Sequence, residues 1–379
     1  MTHKPNSNRI PLSEPVFRGN EWKYVKDCLD SGWVSSVGKY VDLFEKKVAE
    51  YVGAEHAIST ANGTAAIHTA LLVAGVSQGD RVVVPTLSFI ATVNPVIYCG
   101  AIPVFIDSEK KTLNMDPEKA VETIKQLIKS SQKPKAIIVT HLYGHPCNMH
   151  PILDIAREYG IVVIEDACES LGSKYKGKMT GTLGDIGCFS FNGNKIVTTG
   201  GGGMILTNQE SFASRAKYLT TQARDDEDEY IHNEVGYNYR LTNIQAALGL
   251  AQLEQLPAFI KKKRGIVQQY LKELADLEEV RLLSEPEWAE SNYWLITVLI
   301  HKAGFHRRHF LEQLRDGITL RPVFRPLHMQ RPFTGTNKGE FRVAEFLYET
   351  GLNLPSSVNL SYAQVKKVAD SLKATLAEM

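Results

Sequence analysis

The chain has 379 residues, 43% of them apolar, and its 43 lysines and arginines nearly balance 42 aspartates and glutamates, leaving a net charge of +1. This length exceeds the roughly 250–300 residues at which one hydrophobic core stops growing, so two domains are expected. The even charge balance argues against a nucleic-acid partner, which needs a basic surface. No apolar run approaches the roughly 18–20 residues that cross a bilayer, and residues 1–15 lack the apolar core of a secretory signal. A cytoplasmic protein without a membrane partner is therefore expected.

From about residue 55 to residue 210, short β-branched segments alternate with helical patterns. The predicted strands are HAIST, RVVVP, IPVFID, AIIVTHL and IVVIED, followed by strands at 186–191 and 203–207. The helical patterns between the first five cover 64–75, 88–98, 117–129 and 149–159. This alternation predicts an α/β fold with a mainly parallel central sheet and helices on both faces.

After Arg240 the pattern changes. Thr242 and Gln245 form a capping-box spacing before the apolar-periodic stretch NIQAALGLAQLEQL, so a helix is expected to begin there. The basic segment KKKR at 261–264 is expected to be a solvated helix face. YWLITVLIH at 293–301 and a final helix near 362–377 indicate a smaller C-terminal α+β domain. The predicted boundary gives a large domain of residues 1–255 and a small domain of residues 256–379.

The five cysteines form neither a CxxC pair nor a spacing typical of zinc ligands. Reduced, mostly buried thiols are expected, and no metal site is predicted. The cysteines are Cys28, Cys99, Cys147, Cys168 and Cys188.

Two candidate chemical groups follow predicted strands, where the working residues of parallel sheets collect. Asp166 ends IVVIED, and the period of two along a strand directs its side chain away from that of Glu165. One carboxylate is expected to face the site, although Asp166 equally fits a cap for the next turn. Lys195 follows IGCFSF within SFNGNKIVTTGGGG, where small residues leave space for a ligand beside an amine that can form an imine. Taken alone, a lysine is more often an exposed charge.

Asn62, Gly63 and Thr64 lie between HAIST and the helical stretch AAIHTALLVA. A phosphate at that helix start would meet free N–H groups, the positive end of the helix dipole and a hydroxyl. Thr64 equally fits an ordinary helix cap. The chain contains neither GxxxxGK[ST] nor GxGxxG, so a nucleotide triphosphatase and a nicotinamide enzyme are not supported. The order of these groups along the chain is typical of enzymes that bind pyridoxal phosphate. A turn suited to a phosphate comes first, an aspartate at a strand end follows, and a serine and a lysine come after a further strand.

Motifs along nearly the whole chain give it a close resemblance to the DegT/DnrJ/EryC1 sugar aminotransferase family, within the fold type I (aspartate aminotransferase-like) pyridoxal phosphate enzymes. The segments that carry the resemblance are IPLSEPVFRGNEWKYV, SGWVSSVGKYVDLFE, NGTAAIHTALL, PTLSFIATVNPV, EDACESLG, SFNGNK, GYNYRLTNIQAALGLAQLE and PLHMQ. The resemblance implies the fold type I architecture, with pyridoxal 5'-phosphate bound by the large domain.

The resemblance also assigns the two catalytic residues. Lys195 would hold the cofactor covalently and later move a proton. Asp166 would pair with the pyridine nitrogen, because a carboxylate there keeps the nitrogen protonated and lets the ring accept electrons.

Further contacts are implied in the same way. Gly63, Thr64 and Ser190 would hold the cofactor phosphate, Phe89 would stack on the ring, and Glu169 would lie beside the phenolic oxygen. Phe89 fits a place in the core equally well. Asn238, in GYNYR, would reach the phosphate of the neighbouring subunit, which implies a homodimer with shared active sites. Arg240 and His328 would contact the sugar nucleotide, and for His328 a structural role fits equally well.

The expected reaction transfers an amino group from L-glutamate to C4 of a nucleotide-linked 4-keto-6-deoxy sugar in bacterial surface-glycan biosynthesis. Many relatives have histidine where this chain has Asn192 and glutamate where it has Gly201. The variant SFNGNK with TTGGGG resembles the branch that uses UDP-2-acetamido-2,6-dideoxy-4-keto-hexose. GDP-4-keto-6-deoxymannose, the perosamine precursor, and dTDP-linked keto sugars are the alternatives.

Two other functions on this scaffold are less expected. A pyridoxal-dependent sugar dehydratase would carry histidine in place of Lys195. A non-catalytic sensor would need a DNA-binding module, for which too few residues precede the first motif.

Overall fold

The computed structural model describes residues 9–226, 228–314, 317–335 and 339–379. Part of the segment 1–15, which was searched for a secretory signal, lies outside these ranges, namely residues 1–8. So do residues 315, 316 and 336–338 of the predicted small domain. Two amphipathic helices, α1 (Glu21–Ser31) and α2 (Lys39–Val52), come before the first strand. Both pack against a later helix, and α2 buries Phe44 and Val48 one turn apart, as expected for an apolar stripe.

A seven-stranded sheet forms the centre of the first half of the chain. Its order is β1-β9-β8-β5-β4-β2-β3, and only β9 runs antiparallel to its neighbours. The predicted mainly parallel sheet is therefore confirmed. In chain order the strands are β1 (His56–Thr60), β2 (Arg81–Pro85), β3 (Ile102–Ile106), β4 (Ala136–Thr140), β5 (Val162–Asp166), β6 (Lys174–Tyr175), β7 (Lys178–Met179), β8 (Ile186–Ser190) and β9 (Gly203–Thr207), with β6 and β7 paired outside the main sheet.

Helices connect these strands and bury apolar residues against the sheet. The predicted helix over 88–98 is wrong in one respect: a 3₁₀ turn at Ile90–Thr92 is followed by a separate short helix. Pro95 explains the break, because proline has no N–H to donate inside a continuous helix. The helices are α3 (Gly63–Val73), α4 (Asn94–Tyr98), α5 (Pro117–Lys129), α6 (His150–Tyr159) and α7 (Glu210–Thr220).

The predicted capping box is confirmed at the start of α8 (Asn243–Leu253), where the Thr242 and Gln245 side chains each bond to the other residue's backbone N–H. The next helix is α9 (Leu256–Glu273). It corrects the prediction for KKKR, because Lys263 is buried while Lys261 and Lys262 are exposed. Four consecutive residues span more than one turn of a helix and cannot all face solvent when the helix packs on a core.

A second, four-stranded antiparallel sheet is built from the C-terminal part of the chain, in the order β10-β12-β14-β13. The predicted final helix is confirmed as α12 (Tyr362–Ala377), which packs against α9. The remaining elements are β10 (Val280–Leu282), β11 (Ala289–Glu290), β12 (Ile296–Ile300), α10 (Arg307–Gln313), β13 (Arg321–Pro322), α11 (Arg342–Thr350) and β14 (Gly351–Leu354), of which β11 pairs with β6.

All five cysteines are free thiols, three of them buried and Cys99 and Cys168 partly buried, as predicted. Within the ranges given above, no helix is both long and apolar enough to cross a bilayer.

Candidate active site

A cavity of about 320 Å³ lies at the carboxyl ends of the parallel strands. Thr140, Asp166 and Ser190 end β4, β5 and β8, and all three line it. The start of α3 forms another wall, and residues of the C-terminal half close the remaining side. The site is thus where helix starts and strand ends meet in an open α/β sheet.

Asp166 faces the cavity and Glu165 faces away from it, as the strand period predicts. Oδ2 of Asp166 accepts a 2.6 Å hydrogen bond from the Thr92 hydroxyl, and Oδ1 accepts a 3.3 Å bond from the backbone N–H of Cys168. Asp166 therefore both stabilises the following turn and presents a carboxylate to the cavity. Glu165 is fully buried among backbone N–H groups, including those of Leu183 and Gly184 at 2.6 and 2.7 Å.

A chain of hydroxyls leads to Asp166. Ser88 Oγ lies 2.6 Å from Thr92 Oγ1 and 3.3 Å from Thr140 Oγ1. Because Thr92 donates its single hydroxyl proton to the carboxylate, Ser88 must donate to Thr92, and Thr140 must then donate to Ser88. Each hydroxyl in this buried chain thus polarises the next toward the negative charge.

Lys195 lies opposite, with its Nζ 3.3 Å from Oε1 of Glu169 and 3.7 Å from the centroid of the Trp294 indole. The side chain of Lys195 is 12% exposed, so the amine is accessible from the cavity but otherwise enclosed. Burial raises the pKa of Glu169, and the positive charge of Lys195 opposes that rise. The Trp294 indole N–H donates a 2.7 Å bond to the carbonyl of Asn194, which fixes the ring beside the lysine.

The start of α3 forms a compact anion site. Asn62 caps the helix by accepting a 2.8 Å bond from the Ala65 N–H, so the alternative that Thr64 is the cap is wrong. Within the described residues no hydrogen bond uses the Thr64 hydroxyl, which lines the cavity with Ser190. A Cβ on Gly63 would lie 2.9 Å from the Cβ of Ser190, so only glycine allows this close approach.

Phe89 lines the cavity with 53% of its surface exposed, and its ring centroid is 5.5 Å from that of Phe324. The alternative that Phe89 belongs to the core is therefore wrong. Its exposed face lies where a flat ligand can stack on it.

Three predicted residues lie outside the lining of this cavity. Asn238 is exposed and forms a β-bridge with Thr221, while Arg240 is half-buried two residues further on. His328 bonds through Nδ1 to the hydroxyl of Thr86 at 2.6 Å and through Nε2 to Glu345 at 3.1 Å. These contacts support the structural role for His328. The substrate roles of Arg240 and His328 and the cofactor role of Asn238 stay predictions.

The lining fits pyridoxal phosphate. The unbonded Thr64 hydroxyl, the Ser190 hydroxyl and the helix start offer a place for a phosphate. Asp166 can hold a protonated pyridine nitrogen, and Lys195 is the amine that can bond to an aldehyde. The remaining predicted contacts, Gly63, Phe89 and Glu169, belong to the same lining, as do Asn192 and Gly201.

Several lining residues were not predicted as site residues, and those that matter most for the chemistry are Thr92, Trp294, Arg321 and Phe324. Thr92 lies within the motif PTLSFIATVNPV, and its place one turn after Ser88 was the only local signal for it. The other three come from residues 256–379, where the sequence predicted a smaller α+β domain and only His328 as a site residue.

Comparisons with known proteins show which family and which solved structures the chain is similar to. The model of the DegT/DnrJ/EryC1/StrS aminotransferase family matches residues 16–373. A GDP-perosamine synthase of Escherichia coli O157:H7 is 44% identical to this chain, and the match covers 96% of this chain and 97% of the relative. A GDP-perosamine synthase of Caulobacter vibrioides is 41% identical, and the match covers 97% of this chain and 98% of the relative. A crystal structure of a DegT DnrJ EryC1 StrS aminotransferase from Brucella abortus superposes with a TM-score of 0.88 at 31% identity, covering 94% of this chain and 95% of that one.

Proposed function

Since the chain belongs to the DegT/DnrJ/EryC1/StrS aminotransferase family, a family of pyridoxal phosphate-dependent enzymes that aminate nucleotide-linked keto sugars, we propose that it forms a 4-amino sugar from GDP-4-keto-6-deoxymannose. The observation that carries this substrate is the near full-length similarity, at 44% and 41% identity, to two GDP-perosamine synthases. These relatives favour the GDP-linked alternative over the UDP-linked sugar that the motif SFNGNK suggested.

The net reaction exchanges an amino group for a carbonyl oxygen. L-Glutamate is oxidised at its α-carbon to 2-oxoglutarate, and the sugar carbon C4 is reduced from ketone to amine, so no external oxidant or reductant is needed. Pyridoxal phosphate, when bound, supplies an electron sink for the pair left by the broken C–H bond. Because donor and acceptor use the same cavity in turn, the kinetics are expected to be ping-pong.

Two side chains carry the chemistry in this proposal. The Nζ of Lys195 removes a proton from the donor α-carbon and later delivers one to C4 of the sugar. Asp166, held by Thr92, keeps the pyridine nitrogen protonated. Glu169 lies 3.3 Å from the Lys195 amine and can orient it between the two half-reactions.

The UDP-linked sugar remains the second candidate, because Asn192 and Asn194 of the SFNGNK variant both line the cavity. A panel of GDP-, UDP- and dTDP-linked 4-keto-6-deoxy sugars with L-glutamate separates the candidates, with the amino product identified by mass spectrometry. The expected result is a kcat/KM for the GDP-linked sugar roughly 100-fold or more above the others. A preference for a UDP- or dTDP-linked sugar would overturn the proposed substrate.

We also propose a homodimer in which Asn238 completes the site of the other subunit. Asn238 is exposed and absent from the lining of its own cavity, which fits a contact made across an interface. The division into a large domain of residues 1–255 and a small domain of residues 256–379 is likewise a proposal, supported by the position of the boundary between α8 and α9.

A further inference from the structure

Arg321 is placed unusually for a residue of the C-terminal sheet. It begins β13, yet its side chain lines the same cavity as Lys195. Its Nε and Nη2 atoms are buried and have no hydrogen-bond partner among the described residues. A guanidinium with buried, unbonded N–H groups is costly to hold, so this arrangement indicates a place prepared for an anion.

Nε and Nη2, the two atoms without a partner, form one edge of the guanidinium and can bind the same ligand together. Nε–H and Nη2–H point in the same direction from one edge of the planar guanidinium, which gives the fork that binds both oxygens of a carboxylate. The complete bidentate edge of Arg321 is therefore free for a ligand.

The guanidinium lies close to the reacting centre. Its central carbon is 5.7 Å from the ring centroid of Trp294 and 5.2 Å from that of Phe324. Nζ of Lys195 lies beside the same indole, at 3.7 Å from its centroid. Burial raises the pKa of Glu169, and the positive charges of Lys195 and Arg321 both oppose that rise. Both cations therefore lie near the same carboxyl group in the cavity.

We infer that the free edge of Arg321 binds the α-carboxylate of the amino-acid donor and so selects an amino acid over a simple amine. The inference rests on the proposed aminotransferase reaction and adds the residue that recognises its donor. The α-carboxylate is attached to the carbon whose proton Lys195 removes, so its binding partner must lie near that amine, as Arg321 does.

The other two anions of the reaction fit this position less well. In a nucleotide-linked hexose the diphosphate is attached at C1, across the sugar ring from the reacting C4, and so lies further from Lys195. The cofactor phosphate has its own place at Gly63, Thr64 and Ser190 at the start of α3.

Equilibrium binding of glutarate, a dicarboxylate without an amino group, tests the inference independently of catalysis. Calorimetry with the cofactor-loaded enzyme is expected to show binding roughly 30-fold or more weaker for Arg321→Met than for the wild type. Arg325→Met is the matched control, because Arg325 lies four residues further along, is exposed and does not line the cavity. Equal glutarate affinity in Arg321→Met and the wild type would overturn the inference.

The half-reaction with L-glutamate alone, followed by the visible spectrum, gives the second measurement. Arg321→Met is expected to raise the half-saturating concentration of L-glutamate by a similar factor and to leave that of the keto sugar within about threefold. With 4-aminobutyrate, which lacks the α-carboxylate, Arg321→Met and the wild type are expected to react equally slowly.

The remaining outcomes are distinct. A raised KM for the keto sugar with unchanged glutamate binding would assign Arg321 to the diphosphate and overturn the inference. Loss of bound pyridoxal phosphate in Arg321→Met, with Arg325→Met unaffected, would assign it to the cofactor and also overturn it. Arg321-dependent binding of glutarate together with no transfer to any sugar of the panel would support this inference and reject the proposed substrate class.

Discussion

The hydroxyl of Thr92 donates a 2.6 Å hydrogen bond to Oδ2 of Asp166, and that bond ends the chain of hydroxyls that begins at Thr140. A hydrogen bond to a charged group in a buried site contributes about 1.5–3 kcal/mol. Asp166 therefore depends on Thr92 for its orientation in the cavity.

Thr92→Val keeps the shape of the side chain and removes this donor. We expect pyridoxal phosphate affinity to fall by roughly 10-fold or more, with a parallel loss in kcat/KM, because the carboxylate loses a charged hydrogen bond. Thr92→Ser retains the hydroxyl and is expected to stay within about threefold of the wild type. Titration of the cofactor into the apoenzyme measures both variants, and equal affinities for the two would contradict the prediction.

Lys195→Ala removes the amine from the cavity. We expect transfer activity to fall by roughly 10³-fold or more and the visible absorbance of the lysine-bound cofactor to disappear, since Lys195 is the only lysine in the cavity lining formed by the described part of the chain. Lys178→Ala, at an exposed position in β7, serves as the control and should behave as the wild type. Substantial activity in Lys195→Ala would remove the central role given to this residue.

The shared-site proposal predicts complementation between two inactive variants. Lys195→Ala and Asn238→Asp are each expected to be inactive alone, the second because a carboxylate would repel the phosphate. Mixed subunits would form some dimers in which one site has both native residues. Co-expression in equal amounts is expected to restore about a quarter of the wild-type activity if the subunits pair at random. No recovery in demonstrated hybrid dimers would mean that Asn238 does not act across the interface.

Alanine substitutions at Gly63 and Gly265 are expected to change the stability of the protein in opposite directions. At Gly63 a Cβ would lie 2.9 Å from both Cys168 Sγ and Ser190 Cβ, so Gly63→Ala is expected to lower stability by about 1–3 kcal/mol and to weaken cofactor binding. At Gly265, within α9, nothing lies within 4 Å of an added Cβ. Gly265→Ala is expected to raise stability by about 0.5–1 kcal/mol. Urea unfolding of the two variants measures both effects, and a shift in the same direction would count against the close packing at Gly63.

Lys263 predicts a pH dependence of stability. Burial lowers its pKa from 10.5 to about 7, so between these values the unfolded chain binds more protons than the folded chain. The contribution of this group to the free energy of unfolding therefore rises with pH across that window, by at most about 1.4 kcal/mol per pH unit. In Lys263→Met this contribution is absent, so the advantage of the wild type over the variant should grow from pH 7 to pH 9.

Urea unfolding at pH 7, 8 and 9 measures that difference. Lys262→Met is the control, because Lys262 is the exposed neighbour on the same helix and its removal should leave the pH slope unchanged. The Nζ of Lys263 donates hydrogen bonds to the carbonyls of Trp294 and Ser356, at 3.1 and 2.5 Å, and Lys263→Met lacks both bonds. A difference between Lys263→Met and the wild type that stays constant with pH would refute the prediction.

Local patterns in the sequence located the parts of the site that lie on strand ends and helix starts. Strand alternation and a helix start, both encoded within a few residues, made Asp166 and Thr64 candidates, although each fitted a helix cap equally well. The role of Lys195 needed the family resemblance, because a single lysine after a strand has no distinctive local pattern.

Long-range packing accounts for what the sequence did not reveal. Trp294 and Arg321 are about a hundred residues or more from Lys195 in the chain, and only the position of the C-terminal sheet brings them to the cavity. Lys263 was misassigned because a run of basic residues was interpreted by composition, whereas burial depends on the helix face that meets the core. Pro95, by contrast, was a local signal for the broken helix over 88–98.

The adjacent acids of β5 have a consequence for how this chain can change in evolution. Glu165 is fixed among three backbone N–H groups and His141, while Asp166 faces the opposite side of the sheet. A slip of β5 by one residue against its neighbours would turn each acid to the opposite face of the sheet, so the Asp166 carboxylate would leave the cavity and Glu165 would leave its N–H donors. Point substitutions elsewhere in this strand can be accommodated by repacking, but an insertion or deletion within it would disable the enzyme in a single step.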